Sequence, residues 1–568
     1  MEPNESPRVL SRRDLYRRMT LRALDEEPKS ARRGGSVSTF GRATAMRSPS
    51  SGRSNAMTKS VEAPPSAAVI ALNRMGFGPG PGSMAVFNAL GANDQDRLLA
   101  YVTQQVNPDV IDDSACDARI SAAGFTTLEM GQAQLWQDHV ESGVDWSERM
   151  RPFFEIERLT FLRAVHSQRQ LLEVLADFWH NHFNVYGYDY WCGPLWVHYD
   201  RDVIRANIFG NFRQMLRKSA KSPCMLYYLD NYTSSNAGPN ENYARELVEL
   251  HTLGAENYLG VMRQTDVPLD GQGYPTGYVD DDVFEITRCL TGWTFDFDTG
   301  VFEYRGDWHD KWQKNVLATF IPANQSDLQD GNDVLDALAY HPGTARHIAG
   351  KLCRRLISDN PPQNVVDAAA TVFHQQRFSA DQISQVVQTI LLSDEFLGTW
   401  GEKIKRPFEI AVSTMRATRT QFSFSLAENE CDDMLWQYDQ AGQPLFSWRA
   451  PNGYSDLRED WQSATPRVMS WRLCNWLLDV ENDNDIHYSN VLAQTPADVR
   501  TAQEIADFWI IRVLGRPMSP SDRLEIVEFM AQGHNPNFDL PLGNDWDTQE
   551  RLRSMVALIC MSPTFLWR

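Results

Sequence analysis

Most of this chain places its apolar residues at helical spacing and little of it alternates as strands do, which limits it to an architecture of packed helices. The stretch Asn240 to Gly254 (NENYARELVELHTLG) carries the pattern most informatively. At 100° per residue, Tyr243, Ala244, Leu247, Val248, Leu250 and His251 share one arc. Glu246 lies at the edge of that arc, with Arg245 and Glu249 further round. Gly254 supplies a C-terminal stop, because it enters the left-handed conformation without a Cβ clash. A histidine centred on an apolar face needs a buried partner, since leaving it unpaired costs roughly 1–3 kcal/mol. A carboxylate, a backbone carbonyl or a metal would serve.

Two further helical stretches carry comparable chemistry. In LADFWHNHFNV (Leu175 to Val185) the two histidines face opposite ways. Glu173, Asp177, His180 and Asn184 form a polar stripe at i, i+4, i+7 and i+11, whereas His182 sits among Leu171, Leu175, Phe178 and Trp179. One metal cannot take both imidazoles from a regular helix. In DDDVFEITRCLTGW (Asp280 to Trp293), Val283, Ile286, Cys289 and Leu290 form the apolar arc, Glu285 lies at its edge, and Asp281 or Asp282 is placed to cap. His182, His251, Glu246 and Glu285 are therefore expected to converge on one interior pocket, with Arg245 as a charge partner. Such a set suits a divalent zinc, manganese or iron ion, or an acid–base centre. The plainer alternative is a structural polar network, with Glu246 or Glu285 paired to Arg245 or Arg288.

The chain has 568 residues and a net charge of −20, which argues against nucleic acid as a partner because phosphate repels an acidic surface. Eight scattered cysteines include no CxxC pair, so a zinc ribbon or thioredoxin-type dithiol is unsupported, and buried free thiols in a reducing compartment are expected. No run of about 18 apolar residues occurs, so no membrane span is expected. GxSxG, HExxH, P-loop and EF-hand signatures are absent, and the Gly76–Gly82 run lacks phosphate-loop spacing.

Residues 1–63 form a basic extension with the composition of disorder, its first sixty residues carrying roughly seven net positive charges. Arg12-Arg13 resembles a twin-arginine export box without the apolar region that export requires, so a cytoplasmic location is expected. Residues 64–330 are expected to hold the site and 331–568 a helical C-terminal region. Thr294 to Tyr304 reads as a β-hairpin turning at Asp298 to Gly300. Ile383–Leu397 aligns without gaps to Leu552–Leu566, which suggests two related three-helix units in a mainly α chain. Between them, Gly442 to Trp461 is a Pro- and aromatic-rich excursion, suited to satellite-core packing or to covering a cleft. Exposed aromatics near Trp191, Trp308 and Trp448 leave carbohydrate binding as a weaker option.

The blocks FWHNHF, GNFRQMLRKSAKSPCMLYYLDN, NENYARELVELHTLG, DVFEITRCLTGWTF, HPGTARHIAGKLCRRL, KRPFEIAVSTMRAT and GQPLFSWRAPNGYSD follow one another in order from about Ala67 onward. In this the chain resembles the bacterial domain of unknown function 1800 family. That resemblance implies a mainly helical bacterial protein without an established activity. It also implies a partner from the domain of unknown function 1501 family, which is similar to sulfatase and phosphatase folds. The chain departs from the family at His309-Asp310-Lys311, where a tight glycine turn is usual, and after Gly254, where the connection is longer. Two functions follow: an enzyme with a buried His/Glu centre, in which Glu246, His251, Glu285 and Arg245 act, or a non-catalytic assembly or maturation partner.

Overall fold

A computed structural model describes residues 64–427, 429–543 and 545–568; the basic extension 1–63 lies outside them. The described chain is mainly α-helical, and its β-structure is confined to two small antiparallel pairs and isolated bridges. One buried apolar cluster runs through both the 64–330 and the 331–568 portions. Helix Arg151–His166 packs against helix Pro407–Ala417, and helix Phe212–Lys221 against helix Gln329–Ala339. No described helix is long and apolar enough to cross a membrane.

The residues before and through the Leu175 stretch form two helices, Arg151–His166 and Gln170–His182. Buried Asp113 fixes the break by accepting from the Ser167 hydroxyl (2.7 Å) and the Gln168 amide (2.7 Å). The second helix keeps its regular turn through His180 and His182, so the two side chains leave on different faces.

The helix of the Asn240 stretch is shorter than expected, Asn242–Glu249, and His251 lies beyond its end. The unwinding is built by wide hydrogen bonds. The His251 amide reaches back to the Glu246 carbonyl (3.1 Å), the Thr252 hydroxyl to that of Leu247 (2.7 Å) and the Gly254 amide to that of Val248 (3.1 Å). Gly254 does take a positive φ of 95°, but to close this turn and not as the residue after the last helical one. Helix Asp280–Leu290 starts two residues earlier than a cap at Asp281 would allow. Asp282 instead reaches back to the Val279 amide (3.0 Å) and also takes that of Leu317 (2.9 Å).

The hairpin forms with Trp293 opposite Tyr304 and Phe295 opposite Phe302, and Gly300 turns it at φ 64°. A second pair, Lys314–Val316 with Thr319–Ile321, was not expected. In the C-terminal half, helix Gln382–Leu391 leads into a short helix that begins after Ser393, and helix Trp546–Met561 into one that begins after Ser562, whose hydroxyl caps it. Phe396 and Phe565 are buried at equivalent positions. All eight cysteines are buried.

Candidate functional site around His180

The polar stripe of helix Gln170–His182 faces the interior, where two chains of charge meet it. Glu173 takes a bidentate pair from Arg205 (2.9 and 2.8 Å), and the Nε of the same guanidinium lies 3.0 and 2.9 Å from the two oxygens of Asp200. Asp200 in turn holds His180 Nε2 at 2.8 Å. Burial pushes the Asp200 carboxyl up, but Arg205 and His180 outweigh it and hold the group far below the usual carboxylate range. The same carboxylates drive Arg205 upward against the cost of its own burial. An ionised Asp200 can only accept, so Nε2 of His180 carries a proton. In the neutral ring Nδ1 is then the bare nitrogen, and no described residue hydrogen-bonds it.

One turn earlier, Asp177 binds Arg355 (2.9 Å) and Arg406. Arg355 continues to Glu409 (2.7 Å) and Asp456 (3.3 Å), and Glu409 also takes Arg568 (2.7 Å). Three guanidinia and three carboxylates thus compensate one another in the core. Together the arginines hold Glu409 below its ordinary range despite its burial.

The excursion after Gly442 closes over this stripe. Asn184 donates to the carbonyls of Trp448 (3.0 Å) and Ala450 (2.7 Å), and Asn181 accepts from the Tyr454 amide (3.0 Å). Gly187 donates to the Phe446 carbonyl at 2.9 Å. A Cβ on Gly453, whose φ is 69°, would stand 2.2 Å from the Asn181 carbonyl oxygen, so only glycine lets the segment lie this close. Phe446 also adopts a positive φ, 56°, an uncommon state for an aromatic residue, and its ring lies 4.7 Å from that of His180. Beneath this cover is a cavity of about 30 Å³, bordered by Asp177, His180, Asn184, Arg205, Gln443 and Tyr454. It has room for about one water molecule.

The expected convergence of four residues is only partly realised. His182 and His251 are buried neighbours with ring centroids 6.0 Å apart, and His182 Nε2 lies 3.2 Å from the His251 carbonyl oxygen. Nδ1 of His182 and both ring nitrogens of His251 have no hydrogen-bond partner. Burial, with the Lys351 charge behind it, lowers both imidazoles, His251 to about 3. Glu246 is half-buried, and burial and the Glu249 charge raise it. Arg245 stands at the surface with Glu241 (3.5 Å) and Asp280 (3.7 Å). Glu285 belongs to another network: Arg288 binds it at 2.8 Å and Asp310 at 2.8 Å, while His309 reaches Asp330 at 3.1 Å.

Among the described residues no three His, Cys, Asp or Glu side chains are grouped to hold a metal ion. The pair His182–His251 lacks a carboxylate at its side, so the donor set expected for zinc, manganese or iron is not assembled there. Of the aromatics considered for carbohydrate, Trp191 packs among Phe295, Phe297 and Tyr227, Trp308 stacks on Arg305, and Trp448 lies against Tyr454.

The residues that the stripe binds were not singled out from sequence. Arg355, Arg406, Glu409 and Asp456 do lie within the blocks HPGTARHIAGKLCRRL, KRPFEIAVSTMRAT and GQPLFSWRAPNGYSD, and in space those blocks meet FWHNHF. A family model described as a protein of unknown function, DUF1800, matches residues 70–567. The chain belongs to the DUF1800 family. Neither the curated proteins nor the solved structures include a match to it. In this DUF1800 protein, blocks widely separated in sequence are thus neighbours around one helix face.

Proposed function

We propose that this DUF1800 protein is an enzyme with a buried histidine–carboxylate centre, and that His180 is its proton carrier. The observation that supports this reading is the orientation of the ring. Asp200, itself fixed by Arg205 and Glu173, takes Nε2–H and leaves Nδ1 as a base beside a water-sized cavity. In this reading His180 takes a proton from a water or hydroxyl placed in the cavity, and Asp200 stabilises the imidazolium that results. Substrate enters when the 443–454 segment lifts. Hydrolysis is the simplest reaction that such a pair would serve.

The test is a panel of chromogenic carboxylic esters, phosphate esters and glycosides, turned over by the wild type and by His180→Gln at matched thermal stability. Turnover that falls by about 10²-fold or more in the variant supports the reading, in line with the size of general-base effects. Equal rates, or no turnover of any member, would overturn it.

A second reading, a non-catalytic assembly or maturation partner of a DUF1501 protein, is favoured by the complete pairing of Asp177, Glu409 and Asp456 with three arginines. Such a cluster fixes helix positions and needs no chemistry. Co-purification of a DUF1501 protein, retained by His180→Gln, would support it.

A further inference from the structure

A separate cleft of about 460 Å³ opens between helix Arg151–His166 and helix Asn429–Asp439. That volume lies within the range of small-molecule sites. Glu157, Arg158, Arg151, Asp432, Trp436 and Asp439 contribute to its walls.

Its two innermost acids lack the partners that buried carboxyl groups ordinarily have. The Glu157 side chain is 8% exposed, and no described residue donates a hydrogen bond to it. Arg158 stands 3.9 Å away but is committed to the Asp432 carboxylate and to the Phe154 carbonyl. Asp439 forms no ion pair with a described residue, and its Oδ1 is buried without a hydrogen-bond partner. Burial, reinforced by the Asp439 charge, pushes Glu157 up to about 8, and burial pushes Asp439 up to about 6. Near neutral pH one carboxyl group is therefore a donor and the other an acceptor. The charges of Arg151, Arg158 and Arg472 then balance those of Glu148, Asp432 and Asp439, which favours neither an anion nor a cation. Trp436, half exposed at 51%, offers an indole at the cleft, and Arg472 lies 5.3 Å from its ring centroid.

An uncharged cleft with orphaned donors and acceptors beside an exposed aromatic plane fits a ligand that is neutral, polyhydroxylated and flat-faced. We propose that this cleft binds a neutral saccharide, with a sugar face on Trp436 and its hydroxyls hydrogen-bonded to Glu157 and Asp439. The site is distinct from the His180 cavity and does not depend on the reading given to it.

Calorimetric titration of the full chain with maltotetraose, cellotetraose and N-acetylchitotetraose tests the proposal, with spermidine and inorganic phosphate as charged controls. At least one tetrasaccharide is expected to bind with millimolar affinity or better. Trp436→Ala and Glu157→Leu, checked for unchanged thermal unfolding, should each weaken it about ten-fold or more, while His180→Gln should leave it intact. Three outcomes would overturn the proposal: no binding of any of the three saccharides, binding that both substitutions leave unchanged, or binding of spermidine or phosphate in their place.

Discussion

His180 and His182 stand two residues apart on one helix, yet their surroundings differ as much as any in the molecule. His180 faces a continuous chain of charge through Asp200, Arg205 and Glu173. His182 faces aromatic rings, the His251 carbonyl and a second imidazole with no bonded nitrogen. A half-turn of helix thus separates an imidazole bonded to a buried carboxylate from one whose basicity burial lowers. What a histidine can do is set by the face it occupies and not by its being buried.

The comparison can be broken first on the charged face. Arg355→Met should cost about 3–5 kcal/mol in denaturant unfolding, because Asp177, Glu409 and Asp456 lose their shared buried cation. A cost under about 1 kcal/mol would mean that water reaches the cluster. Gly453→Ala forces a side chain onto the Asn181 carbonyl at positive φ, and should lower stability by about 1–3 kcal/mol. Raised proteolytic sensitivity within 443–454 would locate the damage at the cover.

The apolar face gives a pH signature. The folded-state values of His182 and His251 lie below the unfolded value near 6.5, so the unfolded chain takes up protons that the folded one refuses. Their contribution is complete above about pH 6.5 and is lost as pH falls toward 3. His251→Phe should therefore lose less stability than the wild type between pH 7 and 4, read from denaturant midpoints. Equal losses would assign the acid sensitivity to other groups. The smallest stability change is expected at His180 itself: His180→Gln removes one hydrogen bond from an Asp200 that Arg205 still neutralises, a loss of about 1 kcal/mol. Its larger effect should be on turnover.

The helical class, the hairpin and the polar stripe were legible in the sequence because each is a periodicity within some fifteen residues. The opposed directions of His180 and His182 follow from the same 100° step. The partners were not legible. Asp200 and Arg205 arrive from a π-helical and 3₁₀ stretch, Tyr199–Ile204 and Arg205–Asn207, which regular spacing does not describe. Arg355, Arg406 and Asp456 arrive from far along the chain, and nothing local marks them as neighbours of Asp177. Helical spacing also carried His251 onto a helix that ends at Glu249, since apolar periodicity continues past the residue where backbone carbonyls turn to Thr252, His251 and Gly254. Glu285 shows the opposite case: its local partner Arg288, three residues on, outcompetes any distant pocket.

The segment over His180 is seated through its main chain: carbonyls of residues 446, 448 and 450 receive bonds from Gly187 and Asn184, and the amide of 454 gives one to Asn181. None of those attachments reads a side chain of the segment. Exchanging the Phe446 ring above the imidazole would therefore leave those four bonds in place, whereas Gly453, Gln443 and Arg449 fasten the flap through what they are and are not free to drift.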